Sequence, residues 1–221
     1  MYDRTVNNRE LTFEPSGGLI NASLVMQDKE TDSYWPIMRG SAVEGELKGT
    51  SLTEVAVNKK MKWKDWKRKH PGTLVLSVAG REDSEQVYEG YFQSQDGFRD
   101  VNASDTRLQT KAPIFAFRWQ GKNYAAAFGT FKNGHTWRLD DTHVFLFRAP
   151  SDELFKSTAA FLTTNEFAVE GGRWRTGGTD CEFSPESQTF VGQGQCPQPL
   201  TGFDTFWYNW SLNNPDTLIL K

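Results

Sequence analysis

Two stretches of this chain follow one pattern. WKDWKRKHPGTLVL occupies residues 63–76 and WYNWSLNNPDTLIL residues 207–220, so Trp63 matches Trp207, Trp66 matches Trp210, Pro71 matches Pro215, Thr73 matches Thr217 and Leu76 matches Leu220, all 144 apart. Tryptophans three residues apart share one face of a helix and can pack on a sheet. A proline five residues after the second Trp ends that helix, and TLVL or TLIL then reads as a buried strand. Asp204 precedes the second helix as a candidate N-cap. A further register lies upstream, where Phe13 matches Phe167, Gly17-Gly18 match Gly171-Gly172, Asp28 matches Glu182 and Ser33 matches Ser187, all 154 apart. A tandem origin accounts for both offsets if the second copy lost about ten residues between Ser187 and Trp207, corresponding to part of PIMRGSAVEGELKGTSLTEV.

The remainder of the second copy lies between Lys111 and Phe161. KAPIFAFRWQGKNYAAAF alternates apolar and polar residues around a QGKN turn, as a hairpin does. THVFLFRAP is a strand with His143, Phe145 and Phe147 on one face and Val144, Leu146 and Arg148 on the other, while SDELFKSTAAFL fits either a short helix or a strand. The expected fold is mainly β, with antiparallel sheets from two related half-copies, each carrying a short Trp-bearing helix followed by a strand. The expected organisation is one β-rich domain over 1–221: a partial first copy at 1–79, an aromatic link at 80–111 and the second copy at 112–221. The first copy has no counterpart of the strands between Lys111 and Phe161. The sequence is therefore expected to start part-way through a repeat, its missing half either removed or supplied by another chain.

At 221 residues such a domain can bury a sizeable core, and 8 Trp and 16 Phe are available to fill it. A formal net charge of -3 gives no global attraction to nucleic acid or anionic membrane. No apolar run approaches the roughly 20 residues of a transmembrane helix, and Met1 is not followed by a signal peptide. Seven basic residues fall between Lys59 and Lys69, interleaved with Trp63 and Trp66, a composition that can bind single-stranded nucleic acid. The second copy keeps the tryptophans and drops the charges, which assigns the tryptophans to the fold and the lysines to its exposed face. No nucleic-acid partner is expected. Cys181 and Cys196 can form a disulfide or remain free thiols; their spacing leaves both open.

Several motifs occur in an order that resembles a known family. They are Asp3-Arg4, Leu11-Thr12-Phe13, DKETDSYW, GELKGTSL, WKDWKRKHPGTLVLS, YEGYFQSQDGF, DTRLQTKAPIFAF and the ending FDTFWYNWSLNNPDTLIL. Together they cover nearly the whole chain and resemble the domain-of-unknown-function family numbered 3179. The resemblance implies no established activity. It does imply bacterial or archaeal proteins that are often exported, hence an extracellular or periplasmic location. It also implies an upstream segment, commonly with Cys-Pro-x-x-Cys before the position of Tyr2-Asp3-Arg4, that this sequence lacks. Thiol or metal chemistry centred on those cysteines is therefore not expected here.

The candidate binding residues are Asp28, Trp35, Asp105, Arg107, Lys111 and Glu182. In DKETDSYW, Asp28 and Thr31 can cap local amides while Trp35 enters the core. In DTRLQTK, Arg107 can hold a carboxylate bidentately, within the fold or on an acidic ligand. His70 fits a helix C-terminus. His135 and His143, with Asp140 or Asp141, suit a metal by donor type but match no metal-ligand spacing, so no metal residues are assigned. The acid pairs Asp28/Glu30, Asp140/Asp141, Glu166/Glu170 and Glu182/Glu186 could do general acid–base work only if one member were desolvated. Cys181 follows GGTD without a nearby activating His. Catalytic residues and cofactors stay unknown, and whether the chain is an enzyme stays open. The expectation is an exported binding or scaffold module with an aromatic-lined cleft between the copies, for a small-molecule ligand or a protein partner. A metal-assisted enzyme using acidic and His residues, and a structural subunit completed by another chain, are the alternatives.

Overall fold

In a computed structural model, residues 1–55, 60–77, 88–154 and 156–221 are described. The chain opens with a tight ladder, β1 (Thr5–Val6) against β2 (Arg9–Glu10). Its turn places Asn7 and Asn8 at φ 50° and 63°, a region asparagine tolerates because its short amide bonds locally. A three-stranded meander follows: β3 (Phe13–Ile20), β4 (Ser23–Asp28) and β5 (Tyr34–Pro36). Val6, Leu11, Trp35 and Ala42 form its small core.

Helix α1 (Trp63–Lys69) comes next, and the described residues of the link contribute a short α-helix, α2 (Glu89–Gln93), and a 3-10 turn at Phe98–Asp100. Residues 78–87, which include the last two residues of the expected first copy and the start of the expected link, lie outside the described residues. The predicted hairpin is present as β6 (Pro113–Trp119) and β7 (Lys122–Ala127), paired from Ile114↔Ala127 to Trp119↔Lys122. Its turn puts Gln120 and Gly121 at φ 47° and 73°, the twist that two-residue hairpins require.

Strands β8 (His135–Leu139), β9 (Thr142–Phe147) and β10 (Ala159–Thr163) form a second antiparallel meander, so SDELFKSTAAFL ends in a strand. A third contains β11 (Phe167–Glu170), β12 (Arg173–Thr176), β13 (Glu182–Ser184) and β14 (Thr189–Val191). The chain then adds β15 (Gln198–Pro199) beside β10, β16 (Phe203–Phe206) beside β6, helix α3 (Trp207–Ser211), and β17 (Leu218–Leu220) beside β7. The fold is mainly β, and its described strand pairs are antiparallel except that β17 runs parallel to β7.

Strand alternation stacks these sheets. Phe115 and Phe117 of β6 pack with Val144 and Leu146 of β9, while Ile114 and Ala116 on the opposite face of β6 meet Trp207 and Trp210 of α3. Phe145 and Phe147 of β9 pack with Phe161 and Phe183, against Trp174 and Phe190. Both β6 and β9 are thus apolar on both faces, as strands covered on both sides are. Cys181 and Cys196 form a disulfide, with Cα atoms 5.4 Å apart, that ties the start of β13 to the segment entering β15.

The two Trp-bearing units share a local geometry and differ in their surroundings. The Trp66 indole donates to Thr73 Oγ1 at 2.9 Å, and the Trp210 indole donates to Thr217 Oγ1 at 2.9 Å. The backbone amides of His70 and Asn214 donate to the carbonyls of Trp66 and Trp210 at 2.8 and 2.9 Å. Trp207 and Trp210 are wholly buried, whereas Trp63 is 51% and Trp66 37% exposed. Both Trp pairs were expected to offer a helical face that can pack on a sheet; the second pair does so, while the first is packed on no sheet among the described residues. TLVL was also expected to be a buried strand, yet Leu74 is 93% and Leu76 90% exposed, and Leu74–Leu76 pair with no strand among the described residues. Burial there needs a neighbouring sheet, and none covers it among the described residues.

The upstream matches occupy different topological positions. Gly17-Gly18 lie inside β3 where its register with β4 shifts, whereas Gly171-Gly172 join β11 to β12. Asp28 stands opposite Phe13, while Glu182 stands between Arg175 and Val191.

Candidate functional site

The expected site residues fall into three separate places. Asp28, at the end of β4, is wholly buried. Its Oδ1 accepts from the Thr31 amide at 2.7 Å, its Oδ2 accepts from the Trp35 indole at 2.8 Å and the Ser33 amide at 3.3 Å, and the Thr31 hydroxyl lies 2.7 and 2.9 Å from the two oxygens. Burial pushes its carboxyl up, but the donors from Trp35, Thr31 and Ser33 together outweigh it and hold the group below the usual carboxylate value. The DKETDSYW motif thus builds a saturated internal anion site that orients Trp35.

Asp105, Arg107 and Lys111 bind the link to the α3 unit. Arg107 makes a two-point contact with Asp105, donates to the Thr217 carbonyl at 2.9 Å and lies 5.7 Å from the Trp207 ring centre. Asp105 also offers its backbone carbonyl to the Trp207 indole at 2.7 Å. Lys111 donates to the carbonyls of Tyr91 and Ser94 and sits 4.1 Å over the Tyr91 ring. The Tyr91 and Tyr208 hydroxyls are 2.9 Å apart, and burial, then this contact, raises the Tyr91 phenol above its ordinary value. Glu182 lies on the outer meander, at 2.9 Å from Arg173 and 3.0 Å from Arg175. Each candidate acid is already engaged by donors of its own chain.

His70 caps α1 with its ring 4.2 Å from Trp66, and His135 lies 4.5 Å from Trp137. Among the described residues, no three His, Cys, Asp or Glu side chains converge as a metal site would require. Asp204 is not an N-cap. It lies within β16, and its carboxylate accepts from the Thr158 amide and hydroxyl at 3.1 and 2.5 Å. Helix α3 starts three residues later behind Phe206, because the ladder to β6 runs through Phe206↔Pro113.

One cleft lies apart from all of the expected site residues. A cleft of about 530 Å³ lies between residues 60–69, the loop 151–157 and residues 186–188. Its walls are pinned by reciprocal bonds: the Lys60 amide donates to Ser157 Oγ at 2.5 Å, and the Ser157 amide donates to the Lys60 carbonyl at 3.1 Å. Beneath the loop, the buried Arg148 guanidinium donates to the Lys156 carbonyl at 2.5 Å, to the Glu153 carbonyl and to Thr158 Oγ1, lies 3.6 Å from Asp204 and covers Phe128 at 4.0 Å. Burial raises the Asp204 carboxyl and lowers Arg148, each partly opposed by its partner. A lone arginine at the end of the apolar run THVFLF was the available signal for this brace.

Six basic residues line the cleft (Lys60, Lys62, Lys64, Arg68, Lys69 and Lys156) against four acidic ones. Lys62 pairs with Glu153 at 2.5 Å, Arg68 with Asp65 at 3.1 Å and Lys156 with Asp152 at 2.5 Å. Lys64 and Lys69 have no carboxylate partner among the described residues, and the enclosed Gln188 Nε2 has no hydrogen-bond acceptor there. The lining is charged rather than aromatic.

No described helix is long and apolar enough to cross a membrane. Neither a curated protein nor a solved structure matches the chain. One family model does, described as a protein of unknown function (DUF3179), and it matches residues 1–217. Spanning almost the whole molecule, that match makes the chain a member of the DUF3179 family.

Proposed function

We propose that the protein is a binding or scaffold module whose ligand cleft lies at the junction of residues 60–69 with the 151–157 and 186–188 segments, and that the cleft takes an anionic ligand. On this reading 1–79 and 112–221 are related half-copies, joined through the 80–111 link into one unit, and the cleft is their junction. The observation that carries it is the unbalanced lining, in which six basic residues outnumber four acidic ones and Lys64 and Lys69 border the cleft with no carboxylate partner among the described residues. Convergent donors in a cleft of this size are what small-molecule sites use for orientation. The disulfide supports an oxidising, extracellular or periplasmic location.

Calorimetric titration with citrate and with inorganic phosphate tests the reading. Saturable binding of either is expected, weakened by about tenfold or more in the Lys64→Ala/Lys69→Ala variant and at high salt. Absence of binding by both anions, or equal affinity in the variant, would refute it.

A further inference from the structure

The exposed unit of residues 63–76 has a covered counterpart in the same molecule, and the comparison says what would cover it. At residues 207–220 the same helix, proline stop and Trp–Thr bond lie on the β6–β7 hairpin. Trp207 and Trp210 pack on Ile114, Ala116 and Ala125, and Leu218, Ile219 and Leu220 pair in parallel with Tyr124, Ala125 and Ala126. Two consecutive alanines leave room for the backbones to approach beneath the indoles. At residues 63–76 the unit is already shaped, with its Trp66–Thr73 bond made, yet its indoles, its leucines and the backbone of Leu74–Leu76 meet no sheet among the described residues.

We propose that Trp63–Leu76 is a docking surface for the open edge of a β-hairpin in a partner protein, paired in parallel, small-residued at its edge strand and acidic at its flank. Parallel strand addition supplies main-chain hydrogen bonds, and the indole pair supplies apolar anchoring. The acidic flank follows from charge complementarity. The covered unit has no charged residue from Trp207 to Asn214, whereas the matching residues 63–70 of the open one carry Lys64, Lys67, Arg68 and Lys69 against Asp65 alone. A second copy of this chain is disfavoured, because both edges of its hairpin are occupied, by β16 and β17. An anionic bilayer would attract the lysines but leave the Leu74–Leu76 backbone without partners.

The test uses a cyclised peptide spanning Pro113–Ala127, with glutamates at the positions of Arg118 and Lys122, titrated into the full chain with indole fluorescence as readout. Saturable binding is expected, weakened by about tenfold or more in Leu74→Asp/Leu76→Asp. Both leucines are almost wholly exposed, so the substitutions leave the fold intact, and citrate or phosphate titration of the variant should match the parent. That separates this proposal from the cleft reading, which Lys64→Ala/Lys69→Ala addresses. Failure of the peptide to bind, or equal binding by the variant, overturns the proposal. So does light scattering that reveals a dimer abolished by Leu74→Asp/Leu76→Asp, which would make the occupant a second copy. Leucine-dependent binding to phosphatidylserine vesicles without peptide binding would make it a membrane.

Discussion

A carboxylate with no exposed surface must be satisfied from within, and Asp28 receives donors at both oxygens from Thr31, Ser33 and the Trp35 indole. Asn at this position would turn a donor toward donors. Asp28→Asn should therefore destabilise the protein by about 3 kcal/mol at neutral pH, read as a shift in the urea midpoint at constant m-value. The folded carboxyl lies below its unfolded value near 3.8. Its contribution is thus complete above that value and is lost as pH falls through the folded value. The gap between parent and variant should narrow below about pH 4. The Asp-x-x-Thr-x-Ser-x-Trp spacing made the local capping legible. It could not reveal that the same bonds saturate the carboxylate, since that depends on where the Trp35 ring lands.

At the scale of an element, the two Trp-bearing units separate local structure from packing. Helix, proline stop and the seven-residue Trp-to-Thr bond recur, so they are dictated locally. Burial is not. Trp210→Phe removes a buried donor from Thr217 and leaves space beside Ile114 and Phe203, and should cost about 2 kcal/mol by chemical denaturation. Trp66→Phe breaks the corresponding bond in a solvated setting and should cost no more than about 0.5 kcal/mol. Near-equal losses would mean that the first unit is covered in solution. The charges of WKDWKRKH marked an exposed face in the first unit, but the exposure of its indoles and leucines was not legible because it depends on the unit's neighbours. The β6–β7 hairpin was legible for the opposite reason: alternation and the Gln-Gly turn determine it without reference to anything distant.

Across the whole molecule, the stacking order and the cleft were the least legible features. Arg148 and Asp204 brace the loop from strands far apart in the chain, and Asp204 reads as a helix cap until its ladder to β6 is known. The disulfide spacing likewise left pairing open until the meander brought Cys181 and Cys196 together. Closing a loop of sequence separation 15, the bridge should contribute about 3 kcal/mol, measured as the difference in denaturation between the parent and Cys181→Ser/Cys196→Ser.

The parallel strand β17 has a consequence for how the polypeptide is made. During vectorial synthesis the hairpin edge at Tyr124–Ala126 emerges long before Leu218–Leu220, its eventual mate. Throughout that interval TLVL at 73–76 is already outside the ribosome, bearing nearly the same side chains. A nascent chain therefore carries two rivals for one slot, and the later arrival must displace or outcompete the earlier before the core can close.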